Sequence, residues 1–139
     1  MKISFDFDGT LEYTDVQNVA RDLIKRGYDV CILTTRFSDP SKYNFDVTEA
    51  HQHLFDVAKE LGIDEIHFTE YEYKYKTIDS FGIDIHIDDD YRDEVFVINK
   101  MCKAKAILYG YGWLKELEDL IEDKQINSPV AQLGRAHGC

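Results

Sequence analysis

From its first residues onward the chain alternates between short runs of consecutive apolar residues and longer stretches where apolar residues recur at helical spacing. A strand buried on both faces reads as an unbroken apolar run. A helix that covers such a strand needs only one apolar stripe. Residues 29–34 (DVCILT) are the clearest run of the first kind, and residues 2–7 (KISFDF), 65–69, 83–87 and 104–109 read as further strands. Between them, residues 15–26 carry Val16, Val19, Ala20, Leu23 and Ile24 on one stripe, with Thr14 or Asp15 as N-cap and Gly27 as the stop. Residues 47–61 carry Ala50, Leu54, Val57, Ala58 and Leu61, ending at Gly62. Residues 73–81 and 92–102 form shorter helices, and residues 113–123 carry Trp113, Leu114, Leu117, Leu120 and Ile121. Strict strand–helix alternation predicts an α/β fold: a five-stranded parallel sheet with helices on both faces, joined by right-handed crossovers.

The chain has 139 residues, enough for one domain around one core. Residues 1–124 are expected to form it. Residues 125–139 are expected to be a disordered tail, since residues 128–139 lack apolar periodicity and contain Pro129, Gly134 and Gly138. A formal net charge of −11 disfavours extended nucleic acid and anionic membrane as partners, and no apolar run is long enough to cross a bilayer. The start of the chain places one Lys before a strand that already holds Asp6 and Asp8, so no export signal is expected. Three cysteines without a C-x-x-C pair argue against a disulfide framework or a thiolate zinc site, and for a reducing cytoplasm.

Ligands of open α/β sheets bind beyond the carboxyl ends of the strands. Polar residues of matching chemistry stand at those ends here: Asp6-Phe7-Asp8-Gly9-Thr10 after the first strand, Thr34-Thr35-Arg36 after the second, and Asp88-Asp89-Asp90 after the fourth. Lys74 opens the helix that follows the third. Carboxylates crowded together do not all ionise without a cation, and hard oxygen ligands in that number suit magnesium. A carboxylate aimed at phosphorus yields an acyl phosphate, and a hydroxyl from Thr34 with an ammonium from Lys74 would hold the phosphoryl oxygens.

These residues resemble the haloacid-dehalogenase-like (HAD) hydrolase superfamily. The resemblance is carried by ISFDFDGTL (residues 3–11), VCILTTR (residues 30–36), Lys74 and IDIHIDDD (residues 83–90), in the family's element order. It implies a three-layer Rossmann-like core and a magnesium-dependent phosphomonoester hydrolase. Asp6 would be the nucleophile and Asp8 the general acid/base, with Thr34 and Lys74 on the phosphoryl group. Gly9, Thr10, Thr35 and Arg36 would contact substrate or brace the turn. Asp6, Asp88, Asp89 and the main-chain carbonyl of Asp8 would hold Mg2+. Residues 11–14 lead straight into a helix and residues 36–46 form only a loop, so no cap domain is expected and the site should be open. Lys76 is the alternative to Lys74. Lys74 is preferred because it shares a face with Ile78 and Phe81, which should point at the core.

The expected substrate is a phosphorylated small molecule or a nucleotide. A nucleotide or nucleic-acid-end phosphatase is the runner-up, and a phosphate-binding module of the same fold without turnover is the non-enzymatic alternative. A metal-dependent nuclease would share the acidic cluster but would leave Thr34 and Lys74 unexplained. Asp90 and Asp93 read as a helix N-cap and a first-turn acid. His51 and His53 read as ordinary helix residues, and His86 as a hydrogen-bonded core histidine.

Overall fold

A computed structural model describes residues 1–126. Its five strands are β1 (Lys2–Phe5), β2 (Asp29–Thr34), β3 (Ile66–Phe68), β4 (Ile85–Asp88) and β5 (Lys105–Leu108). They form one sheet in the order β3-β2-β1-β4-β5, and every neighbouring pair is parallel. The helices are α1 (Thr14–Lys25), α2 (Thr48–Leu61), α3 (Tyr75–Ser80), α4 (Phe96–Met101) and α5 (Trp113–Ile126). The sequence-expected α/β fold with a five-stranded parallel sheet is therefore the observed one. Helix α5 runs a turn further than the periodicity indicated, into the segment expected to be a tail; the rest of that segment lies outside the described residues. Among the described residues, no helix is long and apolar enough to cross a membrane.

Strand parity divides the apolar residues into two clusters. Ile3, Phe5, Ile32, Ile85, Ile87 and Ile107 join Ala20 and Leu23 of α1, Val57 of α2 and Leu117 of α5. The interleaved Cys31, Leu33 and Ala106 join Ile78 of α3 and Ile98 of α4. Because successive strand side chains point to opposite faces, the two helix sets cover opposite sides of the sheet.

Some helix phases differ from expectation. Ala50 is exposed, and His51 takes its place on the buried stripe with Leu54, Ala58 and Leu61. Leu114 and Phe81 are exposed as well. Phe81 caps α3, where the chain leaves the helical path, and its ring lies against His67, 4.1 Å between centroids, rather than in the core. Residues 92–102 are helical as expected, but α-helical only over Phe96–Met101. A wider turn, Tyr91–Val95, precedes it, with the Asp90 side chain accepting the Asp93 N–H at 3.0 Å in the expected N-cap role.

The strand order turns back at β1, which lies between β2 and β4. That switch point leaves a crevice above the carboxyl ends of β1 and β4, where neighbouring connections depart in opposite directions.

Candidate active site

The segment after β1 is built to hold two carboxylates apart. Asp8 (φ −66°, ψ 124°) and Gly9 (φ 76°, ψ 3°) have the dihedrals of the central pair of a type II turn. Only glycine adopts the second position without strain. A Cβ on Gly9 would also collide with the Asp89 carboxylate, so the turn and the end of β4 are packed to the limit. Glu12 closes the turn by accepting the Gly9 N–H at 2.5 Å, and the Thr10 hydroxyl donates to Asp89 at 3.3 Å.

A small cavity of about 190 Å³ lies above this turn, and Asp6, Asp8, Thr35, Lys74, Asp88 and Asp89 are on its wall. Oxygens of Asp6, Asp88 and Asp89 all lie within 4.8 Å of one another, a spacing at which one cation would touch all three. Hard carboxylate donors in this number could hold a hard divalent cation. The Lys74 ammonium reaches Asp6 at 2.9 Å and Asp88 at 2.5 Å, and only 1% of the residue is exposed. Lys76 is exposed and lines a neighbouring hollow instead.

Burial pushes the Asp6 carboxyl well above its ordinary range. Lys74 opposes the rise, and the like charge of Asp88 adds to it. Burial also works against the Lys74 ammonium, but the charges of Asp6 and Asp88 outweigh it and hold the lysine above its usual value. For Asp88, burial is outweighed by the hydrogen bond from His86 and by the Lys74 ammonium, so it stays below the ordinary carboxylate range. Two and more carboxylates around one ammonium leave excess negative charge in a poorly solvated place, the condition under which a divalent ion binds.

Behind the cavity a polar row runs along one face of the sheet, over β1 and β4. His86 Nε2 lies 2.8 Å from Asp88 and its Nδ1 lies 2.7 Å from the Ser4 hydroxyl. Burial pushes the imidazole down, toward the neutral form. The Nε2 proton is then donated to Asp88, and Nδ1 accepts from Ser4. His86 is thus the hydrogen-bonded core histidine expected, and its partner is a residue of the cavity.

Thr34 and Arg36 occupy other places than the sequence implied. Thr34 is fully buried, and its hydroxyl accepts the Arg36 N–H at 3.3 Å; Thr35 is the threonine on the cavity wall. The reason is strand alternation: Thr34 ends β2 in register with Phe68, and the next residue turns to the other side. Arg36 is 9% exposed, and its Nε and Nη2 engage both Asp8 oxygens at 2.8 and 2.6 Å while Nη1 donates to the Ala50 carbonyl. His51, read from sequence as ordinary, is buried beside this clamp, with Nε2 3.0 Å from the Phe37 carbonyl and Nδ1 3.5 Å from Arg36.

Glu94 was not singled out by the sequence reading. It is buried, lines the cavity, and its carboxylate accepts the Lys74 N–H at 3.2 Å. Burial pushes it up to about 7. A signal existed: Glu94 stands four residues before the buried Ile98, a charged residue on an apolar stripe. Ser4 had no such signal, since its pairing with His86 joins residues 82 apart.

No protein-family model matches the chain, and no curated protein is similar to it.

Proposed function

We propose that this chain is a magnesium-dependent phosphomonoester hydrolase of the HAD type, acting through an aspartyl phosphate on Asp6. The observation that carries the reading is the junction of Asp6, Asp88, Asp89 and Lys74 on one cavity at the switch point of the sheet. Asp6, Asp88 and Asp89 would hold the ion, with the main-chain carbonyl of Asp8 in addition. Bound there, the ion supplies positive charge against the phosphoryl oxygens and the crowded carboxylates.

A carboxylate oxygen of Asp6 attacks phosphorus, and the bond from phosphorus to the alcohol oxygen breaks. Asp8 gives that oxygen a proton. Asp8 then takes a proton from water as the water oxygen attacks phosphorus, the bond to Asp6 breaks, and inorganic phosphate leaves. Lys74 and Thr35 hold phosphoryl oxygens, while buried Thr34 braces the backbone of the turn. Arg36 orients Asp8. The His86–Asp88 hydrogen bond fixes the rotamer of a metal ligand, as outer partners do at metal sites. A reducing cytoplasm supplied with magnesium is the setting this chemistry fits.

One observation favours a second reading. With both oxygens engaged by Arg36, Asp8 accepts and does not donate, so the clamp must open for turnover. A clamp that stays shut gives a phosphate-binding module of the same fold.

A panel of phosphate monoesters, with an aryl phosphate as general probe, tests both. Turnover is expected with magnesium, is lost on chelation, and falls by about 10³-fold or more in Asp6→Asn with the circular dichroism spectrum unchanged. A folded protein that turns over nothing in the panel, yet is stabilised by beryllium fluoride with magnesium, would favour the binding module.

A further inference from the structure

Next to the phosphoryl cavity lies a second hollow of about 520 Å³, within the size range of small-molecule sites. Thr35, Asp90 and Glu94 are on the walls of both, so the two hollows adjoin. Tyr71, Tyr73 and Tyr75 line the larger one. Tyr71 and Tyr73 are 60% and 52% exposed, although large rings are generally drawn into the core.

Tyr71 is held in place against its backbone preference. Glu70 and Tyr71 have φ of 57° and 64°, a region that residues with side chains seldom adopt. The Tyr71 N–H donates to the Thr35 carbonyl at 2.6 Å and the Glu70 N–H to the Arg36 carbonyl at 3.3 Å. The Glu70 carboxylate accepts the Ser38 N–H and hydroxyl at 3.1 and 2.8 Å. Phe37 backs the Tyr71 ring, 4.7 Å between centroids. These ties lock the start of the tyrosine loop to the segment that carries Thr35, so the Tyr71 ring keeps a set position relative to the phosphoryl cavity.

The rest of the lining sets the charge of the occupant. Glu72, Asp90, Asp93 and Glu94 stand against one cation, Lys76. A second phosphate would meet like charge with little to balance it. An uncharged ring bearing amino groups would find stacking faces and acceptors together.

We propose that this hollow is the leaving-group site of the phosphohydrolase reading, on which this inference rests. It takes a planar, nitrogen-bearing ring without further negative charge, as in a nucleoside monophosphate, in preference to a bare sugar phosphate or a bisphosphate.

The test is calorimetric titration of the full-length Asp6→Asn protein, in magnesium, with adenosine 5′-monophosphate, ribose 5-phosphate and adenosine 3′,5′-bisphosphate. The monophosphate is expected to bind about tenfold more tightly than ribose 5-phosphate, and the bisphosphate more weakly than the monophosphate. Replacing both exposed rings (Tyr71→Leu with Tyr73→Leu) should bring the first ratio toward one. Equal affinity for the monophosphate and ribose 5-phosphate, a preference that survives the double substitution, tighter binding of the bisphosphate, or no binding of any of the three would overturn the proposal. Wild-type turnover of an aryl phosphate judges the phosphohydrolase reading separately, since the titration needs no turnover.

Discussion

Two clusters of charged side chains sit at opposite ends of the same sheet, and each is organised around one lysine. At the amino ends of the strands, the Lys2 ammonium meets both oxygens of Glu65 at 2.9 and 3.0 Å and lies 3.9 Å from Asp29. Glu65 also takes a 2.7 Å contact from His67. At the carboxyl ends, Lys74 meets Asp6 and Asp88 with Asp89 beside them. The contact lengths are alike; burial is what separates the clusters. The side chains of Lys2 and Glu65 are 19% and 29% exposed, against 2%, 8% and 2% for Lys74, Asp6 and Asp88.

The lower cluster pairs its charges within reach of solvent. Burial raises Glu65, but His67 and Lys2 outweigh it and hold the acid below its ordinary value. Cys31 lies close to Glu65 and His67, and burial pushes its thiol up to about 12. In the upper cluster the acids outnumber the ammonium where water does not screen them. Similar residue types give a surface tie in one place and a buried cluster with excess negative charge in the other.

Removing the two lysines is the hardest test of this contrast. Lys74→Met leaves buried carboxylates without their cation and should cost about 3–5 kcal/mol in urea unfolding, part of it recovered by millimolar magnesium. Lys2→Met should cost about 1 kcal/mol or less and show no recovery. Equal losses would break the comparison.

A smaller effect is expected at the turn. Gly9→Ala forces a side chain into positive φ and against Asp89, for about 1–2 kcal/mol of stability. The displaced Asp89 should also raise the magnesium concentration needed for half-maximal turnover, which a purely structural defect would not do.

A third effect is a pH slope at Glu94, whose folded value of about 7 stands above that of an unfolded glutamate. Between about pH 4.5 and 7 the folded state holds a proton that the unfolded state lacks, so stability falls as pH rises through that window. Glu94→Gln should flatten this part of the urea-midpoint profile, measured with chelator present. An unchanged slope would mean that Glu94 is better solvated than its burial indicates.

Local patterns carried most of the fold. The apolar runs and stripes located the strands and the main helices, and Asp8-Gly9 carried its turn chemistry openly. Errors arose where a one-residue phase decides orientation. Ala50 and His51, or Thr34 and Thr35, are adjacent and equally compatible with the pattern, yet one of each pair points inward. Lys74 could be preferred over Lys76 from helix phase alone, although Phe81, part of that reasoning, proved to be exposed.

Strand periodicity, turn residues and the acids placed after apolar runs follow from chemistry between near neighbours, so the sequence by itself determined the parallel sheet and the acids at its strand ends; that β1 and β4 are neighbours, which creates the switch point, was decided by the tertiary structure. Contacts between residues far apart in the chain were decided only by the tertiary structure. Arg36 turned to Asp8 rather than to the cavity, Ser4 met His86 across two strands, and Glu94 was buried beside Lys74. The physical reason is that burial sets the strength of a charge, and burial belongs to the packed whole and not to any local stretch of chain.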